Sequence, residues 1–348
     1  MQIKRNSLVS LTLASFLMLA GCSTSSPNDN VINDDDNKSS NGNSDGASSS
    51  ALDISLLTTY NGLPFYTAML CGAEDAAADL GEDIKIEFDG PRRGMNASDQ
   101  IPVVESVVNR GPDGLIFVPA DPQAMVASIQ NAIDAGIPVV TTDGTLDEEI
   151  ALAQFHGDSV AGGALAADAL IEFADGRSGS VLVLDNRPGL PLTNDRANGF
   201  ISELEEKADF EILPVEYFED DPERASSIVQ SKLNADPNII GIFATAEAGA
   251  TGAANALEGI TTENDVHVIA YDAGPTLVNS LRNGTLDALV AQGAYQQGYD
   301  ALVRIVQELR DEEPTSSSFD NVVDNVLVTA SNMDDPNVAK FLYPESCN

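Results

Sequence analysis

From residue 52 onward, short apolar runs alternate with longer runs of helical character. The first series has the apolar runs DISLLTT, DIKIEF, GLIFV and IPVVTT, separated by helical runs near 65–81, 97–110 and 121–135. The apolar runs are nearly continuous and are bounded by Gly, Pro and Asp, a pattern typical of strands that helices cover on both faces. Sustained alternation of this kind predicts a parallel, doubly wound α/β sheet.

A second series follows the stretch ALAQFHGD at residues 151–158. Its predicted strands are SVLVLD, FEILPVEYF, IIGIFAT, VHVIAYD and LDALVAQ, with NVVDNVLVTA (321–330) as the last strand. The predicted helices lie near 159–174, 194–206, 222–235, 247–257, 274–283 and 295–311. The two series contain too many strands for one compact sheet, so we expect two similar α/β lobes.

The N-terminal segment has the composition of an export signal. Lys4 and Arg5 precede the apolar stretch LVSLTLASFLMLA, which is too short to span a membrane. The stretch ends in Leu-Ala-Gly-Cys and resembles a bacterial lipoprotein signal, in which residues 1–21 are removed and Cys22 carries the lipid. The resemblance implies an exported protein that is lipid-anchored to the cell envelope. An ordinary secretory signal that contains a cysteine is the alternative.

The segment 22–51 consists mainly of Ser, Asn, Asp and Gly. A segment of this composition cannot bury enough apolar surface to offset the entropy lost on ordering. It is therefore predicted to be a flexible, disordered tether with an r.m.s. reach of about 30 Å.

The chain is strongly acidic, with 55 Asp and Glu against 17 Lys and Arg and a formal net charge of −38. Such a charge argues against nucleic acids and anionic lipids as partners. A highly acidic surface on an exported protein is also what a saline habitat favours.

Three cysteines are present. If Cys22 carries lipid, Cys71 and Cys347 remain as an even pair in an oxidising compartment, and a disulfide between them is expected. It would tie the C-terminal tail to the first helix of the series. A buried thiol and a frayed cysteine in the tail are the alternative.

Candidate binding residues cluster where predicted strands end, because ligands of open parallel sheets bind beyond the carboxyl ends of the strands. An Asp in such a position is often only a helix N-cap. Taken together, however, carboxylates, amides and aromatic rings from two facing lobes suit a neutral polyhydroxylated ligand, since carboxylates accept hydroxyl hydrogen bonds and aromatic faces cover the C–H side of a sugar ring. The candidates are Asn61, Phe65, Tyr66, Arg92 or its neighbour Arg93, Asp143, Asn194, Glu247, Asp272 and Gln292.

Catalytic signatures are sparse. The two histidines, His156 and His267, fall in the presumed crossover and inside a predicted strand, where a structural role is the better interpretation. The sequence contains no G-x-S-x-G, no phosphate-binding GxxxxGK[ST] loop and no His/Cys cluster with zinc spacing. A carboxylate pair for glycoside hydrolysis stays open, but no spacing singles one out. We therefore predict a binding protein without cofactor or metal, not an enzyme.

Landmarks spread in order over residues 52–335 resemble the type I periplasmic binding proteins, the ribose-binding-like solute receptors of ABC transporters. They are NGLPFY, CGAEDAAADLG, GLIFVPADPQAM, AIDAGIPVVTTD, TNDRANGF, VIAYDAGPT and LDALVAQGAYQQGYDAL. DNA-binding repressors share these lobes, but this chain has an export signal and no helix-turn-helix segment ahead of them. The resemblance implies a monomer whose two lobes close around a sugar-like ligand.

By the same resemblance, a three-segment hinge joins the lobes. The crossings are expected near 156–158, 292–293 and 318–323. The N-terminal lobe is then 52–157 plus 293–320, the C-terminal lobe 158–292 plus 321–335, and the C-terminal tail 336–348.

Carried over by position, the resemblance assigns polar ligand contacts to Asn61, Asp143, Asp272 and Gln292, and aromatic walls to Phe65 and Tyr66. The chain also departs from ribose-type sites. Gly144 and Asn194 stand where those sites often have Arg, and Val118 and Ala246 where they often have Asn. Several ribose contacts are thus missing, which argues against ribose itself.

The resulting hypothesis is a lipid-anchored receptor that delivers a sugar to a membrane permease. A sensory receptor of the same fold, which passes a signal from an autoinducer or a chemotactic sugar to a membrane sensor, is the alternative. A carbohydrate-active enzyme is the third hypothesis.

Overall fold

The computed structural model describes residues 51–81, 83–92, 96–258 and 265–347. The predicted signal, Cys22, Arg93 and almost all of the tether lie outside these residues. Among the residues described, none of the helices combines the length and apolar character that crossing a bilayer requires.

The first sheet has six parallel strands: β1 (Leu52–Leu57), β2 (Ile84–Asp89), β3 (Gly114–Phe117), β4 (Val139–Thr142), β5 (Ala153–Gly157) and β12 (Asp320–Val323). Their order is β12-β5-β4-β3-β1-β2. Helices α1 (Pro64–Leu80) and α9 (Ala294–Leu309) pack on one face, and α2 (Ala97–Arg110) and α3 (Val126–Asp134) on the other. Alternate strand residues contribute to each of the two apolar layers.

The second sheet has seven strands: β6 (Ser180–Asp185), β7 (Glu211–Ile212), β8 (Glu216–Tyr217), β9 (Ile239–Ala244), β10 (His267–Tyr271), β11 (Ala288–Gln292) and β13 (Asn325–Thr329). The order is β13-β11-β10-β9-β6-β7, with β8 also on β6. The helices are α4 (Ser159–Ala174), α5 (Pro191–Lys207), α6 (Pro222–Ala235), α7 (Glu247–Glu258), α8 (Pro275–Arg282) and the short α10 (Pro336–Ala339). α4 and α5 pack on one face, and α6, α7 and α8 on the other.

Glycines let helices touch at backbone distance in the same way in both lobes. A Cβ atom on Gly72 of α1 would lie 1.9 Å from the carbonyl oxygen of Tyr295, and one on Gly298 of α9 would lie 1.9 Å from that of Met69. In the second lobe, a Cβ on Gly163 of α4 would lie 2.0 Å from a carbonyl oxygen of α5. Only glycine permits this approach, so α1 and α9, and likewise α4 and α5, pack with their backbones in close contact.

The chain passes from the first sheet to the second after β5, returns after β11 into α9, and passes again between β12 and β13. The last passage corrects the sequence prediction. The run NVVDNVLVTA was predicted as one strand of the second lobe, but residues 320–323 pair with β5 and residues 325–329 pair with β11. Asp324 separates two strands in different sheets, and apolar periodicity carries no information on which sheet receives a strand.

Two further predictions on strands are wrong. The stretch FEILPVEYF was predicted as one strand, but it forms the two-residue strands β7 and β8 on either side of Pro214, which has no N–H to donate to a sheet. β13 is antiparallel to β11, whereas the alternation predicted parallel strands throughout. The antiparallel direction follows from the last passage, since β13 comes directly from β12 without an intervening helix.

Candidate ligand site at the strand ends

Asp143 and Asp272 come directly after β4 and β10, at the carboxyl ends of the two sheets. Both have left-handed backbone conformations, with φ of 62° and 78°. The Asp143 N–H donates to the Phe155 carbonyl and to Gln297 Oε1, both at 2.9 Å, and the Asp272 N–H donates to the Val290 carbonyl at 2.9 Å. A left-handed conformation is uncommon for a residue other than glycine, and such positions concentrate at functional sites.

Two aromatic side chains of α1 form a wall beside Asp143. α1 begins at Pro64, after the loop that follows β1, so Phe65 and Tyr66 lie in the first turn of this helix. Their rings meet edge to face, with centroids 5.3 Å apart. The Tyr66 hydroxyl lies 2.7 Å from Thr59 Oγ1 and donates to Asp143 Oδ2 at 3.4 Å. Burial, followed by the Asp143 charge, raises the pKa of Tyr66, so this hydroxyl stays protonated and can donate.

The carboxylate of Asp272 accepts from three sides. Gln292 Nε2 donates to Oδ1 at 2.8 Å, the Tyr343 hydroxyl donates to Oδ1 at 3.4 Å, and the backbone N–H of Glu247 donates to Oδ2 at 3.3 Å. The Glu247 carboxylate lies against Gly274, since a Cβ there would come within 2.5 Å of Oε1. Burial, followed by the Asp272 charge, raises the pKa of Glu247 to about 7.

The charges of the two lobes interact across the site. Burial, opposed by the guanidinium of Arg196 and reinforced by the negative charge of Asp272, raises the pKa of Asp143 to about 6. The side chain of Asp143 is 8% exposed. Asp143 of the first lobe and Asp272 of the second therefore interact electrostatically. Both carboxylates favour the charged form of Arg196.

Arg196 belongs to the predicted strand-end segment DNRPGLPLTNDR, although the candidate set includes only Asn194 from that segment, and it lies in the candidate site. It is 3% exposed, its guanidinium lies 3.8 Å above the Tyr271 ring centroid, and its Nη1 donates to the Thr245 carbonyl at 2.9 Å. The sequence analysis chose Asn194, two residues earlier, which lies on another side of the helix. The sequence does indicate that Arg196 is buried, because it has the helical spacing of the buried positions Thr193 and Phe200 in α5.

Tyr343 is a second residue that was missed. It belongs to the predicted C-terminal tail, yet it is 4% exposed and packs edge-on against Phe65 with centroids 5.4 Å apart. The structure joins Cys71 and Cys347 in a disulfide, the pairing that the sequence analysis favoured. That expected tie to α1 was the signal that the tail lies near the site.

The structure brings together six of the predicted residues: Phe65, Tyr66, Asp143, Glu247, Asp272 and Gln292. Three others are placed differently, namely Asn61, Arg92 and Asn194. Asn194 orders its own loop, with Nδ2 donating to Asp185 Oδ2 at 2.6 Å and Oδ1 accepting from the Gly189 N–H at 2.8 Å. Asn61 Nδ2 donates to the Gly90 carbonyl at 3.0 Å, and Arg92 is exposed.

The two histidines bridge structural elements. His156 Nε2 lies 2.6 Å from Asp320 Oδ1 and so links β5 to β12, while His267 Nδ1 lies 2.9 Å from Asp287 Oδ1. In the part of the chain that the structure describes, no group of three or more His, Cys, Asp or Glu side chains is arranged to hold a metal ion.

The family model of the periplasmic binding protein domain matches residues 54–313. The ribose import binding protein of Bacillus subtilis (strain 168) is 27% identical over 290 residues, which cover 83% of this chain and 88% of that protein. The D-allose-binding periplasmic protein of Escherichia coli (strain K12) is 26% identical over 277 residues, covering 76% of this chain and 88% of that protein.

Solved structures show the same architecture. An ABC transporter solute-binding protein from Agrobacterium vitis bound with alpha-D-tagatopyranose superposes with a TM-score of 0.75 and 28% identity, covering 84% of this chain and 99% of that one. A second solute-binding protein from that organism, with bound D-fucose, also has a TM-score of 0.75 and 28% identity, and the coverage is 84% and 100%.

Proposed function

Because this chain belongs to the periplasmic binding protein family, we propose that it is an extracytoplasmic receptor that holds a sugar or sugar-like ligand between its lobes and delivers it to an ABC transporter permease. The family match and the structural neighbours confirm the type I, ribose-binding-like resemblance and the two-lobed α/β fold predicted from the sequence. The relatives are import and binding proteins, which supports the prediction that the chain is not an enzyme.

The observation that carries the proposal is the pair of strand-end carboxylates, Asp143 and Asp272, one from each lobe, in left-handed conformations. A carboxylate accepts two hydroxyl hydrogen bonds at once, and charge-assisted bonds contribute about 1.5–3 kcal/mol each. A polyol held by both carboxylates favours the closed arrangement of the lobes, because it makes both sets of contacts only there.

Unsatisfied donors beside the carboxylates fit the same ligand. Arg196 Nε and Gln297 Nε2 are buried and have no hydrogen-bond partner among the described residues. A buried donor without a partner costs about 1–3 kcal/mol, and a ligand hydroxyl oxygen would remove that cost. The Phe65 and Tyr66 rings supply the apolar surface that covers a sugar ring.

The charge of the site favours a neutral ligand over an anionic one. Asp143 and Asp272 act on the buried cation Arg196, and a third carboxyl, Glu247, lies close to Asp272. The arginine that often follows the first of these carboxylates in ribose-type sites is replaced by Gly144, and a Cβ atom there would lie 2.7 Å from the Pro119 carbonyl oxygen. A side chain at that position would require the backbone to shift. Because the site has no arginine at this position and is rich in carboxylates, we expect it to bind neutral pentoses, hexoses or polyols. We expect no binding of sugar phosphates or sugar acids.

A melting-temperature screen over pentoses, hexoses, polyols and nucleosides tests the proposal, with protein refolded from denaturant so that no ligand is carried over. A ligand at 100 times its Kd adds about 2.7 kcal/mol to the free energy of unfolding. Asp272→Asn should abolish this stabilisation while the ligand-free protein still unfolds cooperatively. Asp168→Asn is the matched control, because Asp168 pairs with Lys207 on the surface of the same lobe. If no carbohydrate raises the melting temperature, the proposed function is wrong.

We also propose that Cys22 carries the lipid anchor. Cys22→Ala should move the protein from the membrane fraction to the soluble fraction and abolish its labelling by palmitate; persistence of both would refute the anchor. Deletion of the gene should abolish uptake of the sugar that the screen identifies. Unchanged uptake, with loss of a transcriptional or chemotactic response, would instead support the sensory alternative.

A further inference from the structure

The C-terminal segment, residues 336–347, connects the two lobes independently of the three crossings. It follows β13 of the second sheet, forms α10, and ends at Cys347, which is bonded to Cys71 on α1 of the first lobe. We call this segment the strap. Asp335 caps α10 by accepting from the Asn337 N–H at 2.9 Å, so the strap begins as ordered structure.

Tyr343 of the strap contacts both lobes at once. Its backbone N–H donates to the Ala273 carbonyl at 3.0 Å, and this hydrogen bond joins the strap to the loop after β10. Its ring packs against Phe65 of the first lobe. Its hydroxyl oxygen accepts from the Gln292 N–H at 3.1 Å, at the second crossing, and its proton is directed to Asp272 Oδ1 at 3.4 Å.

The direction of these hydrogen bonds is determined by the partners. A backbone N–H can only donate, so the Tyr343 oxygen must accept from Gln292. A carboxylate can only accept, so the phenolic proton points to Asp272. Burial, followed by the Asp272 charge, raises the pKa of Tyr343 well above its usual value, and the hydroxyl therefore keeps its proton.

We propose that Tyr343 is a positioning residue of the ligand site, which orients the Asp272 carboxylate, and that the Cys71–Cys347 disulfide keeps it in reach. The inference rests on the proposed function. Only four peptide units separate Tyr343 from Cys347, and they span about 14 Å at most when fully extended. The disulfide thus limits how far Tyr343 can move from α1, and keeps it where it can contact both Phe65 and Asp272.

Tyr343→Phe tests the hydroxyl alone, because the ring and its contact with Phe65 remain. The Kd for the sugar found in the screen should increase about tenfold, the equivalent of about 1.4 kcal/mol for a lost hydrogen bond to a charged group. Because Tyr343→Phe also leaves the buried Gln292 N–H without its acceptor, the ligand-free protein should unfold at a lower urea concentration, but still cooperatively. Tyr295→Phe is the matched control, because the Tyr295 hydroxyl of α9 donates to Asp75 of α1 at 2.7 Å on the surface. The Kd of this variant should equal that of the wild type.

The disulfide is tested by a double-mutant cycle with Cys71→Ala/Cys347→Ala. Removal of the disulfide should weaken binding about as much as Tyr343→Phe does, and the combination should be little weaker than either, because both act through the same hydroxyl. A Kd for Tyr343→Phe within twofold of the wild type, or losses that multiply in the combined variant, would overturn the inference while leaving the proposed function intact. Failure of the wild type itself to bind any sugar would overturn both.

Discussion

Replacement of Asp143 by asparagine should stabilise the ligand-free protein at neutral pH and weaken sugar binding. Burial, opposed by Arg196 and reinforced by Asp272, raises the pKa of Asp143 from its usual 3.8 to about 6. Since the native pKa lies above that of the unfolded chain, folding favours the protonated form. The stability gained in this way is fully present below the unfolded pKa and is lost as the pH rises through the native one.

The structure sets the size of this effect. A difference of about two pH units, at 1.36 kcal/mol per unit, amounts to about 3 kcal/mol lost by pH 8. The amide that Asp143→Asn introduces cannot ionise, so the free energy of unfolding of this variant should match the wild type near pH 4 and exceed it by up to about 3 kcal/mol at pH 8. Affinity for the sugar should fall by about tenfold or more, because a neutral amide replaces a charged acceptor.

Urea unfolding of refolded, ligand-free protein at pH 4, 6 and 8 measures the difference between the two proteins at each pH. Asp320→Asn is the matched control with the opposite sign, because donation by Gln154, together with His156, lowers the pKa of Asp320. The stability that Asp320 contributes is present above its unfolded pKa and is lost as the pH falls, so this variant should be less stable than the wild type at neutral pH. A difference between Asp143→Asn and the wild type that stays constant from pH 4 to pH 8 would refute the reasoning.

Gly298→Ala should destabilise the protein by about 3 kcal/mol or more, because the new Cβ would lie 1.9 Å from the Met69 carbonyl oxygen. Gly81→Ala, in open space but with φ of +67°, should cost only about 1–2 kcal/mol, and equal losses in urea unfolding would contradict the close packing of α1 and α9. Arg196→Met should cost about 3–5 kcal/mol at pH 8 because it removes the buried cation beside Asp143, and the loss should shrink near pH 5 as that carboxyl becomes protonated. A loss independent of pH would show that Arg196 acts through packing alone.

The sequence alone determined much of the secondary structure. α2, α4 and α6 begin and end where the apolar period and the capping residues predict, as with Asp158, whose side chain accepts from the Ala161 N–H at the start of α4. These signals are local, so they can be read from neighbouring residues without knowledge of the fold. The meeting of Asp143 with Tyr66 and of Asp272 with Gln292 also followed from the sequence, because the carboxyl ends of parallel strands share one edge of a sheet.

Tertiary structure alone decided the partners that are distant along the chain. Residues 320–329 read as one strand, but β12 and β13 join different sheets, since hydrogen-bond partners, and not the apolar pattern, determine sheet membership. Arg196 enters the site because α5 turns that side toward Tyr271, and Tyr343 because the strap returns across the hinge to α1. Each contact depends on how the lobes and helices pack against one another, and that packing is determined by residues far apart in the sequence.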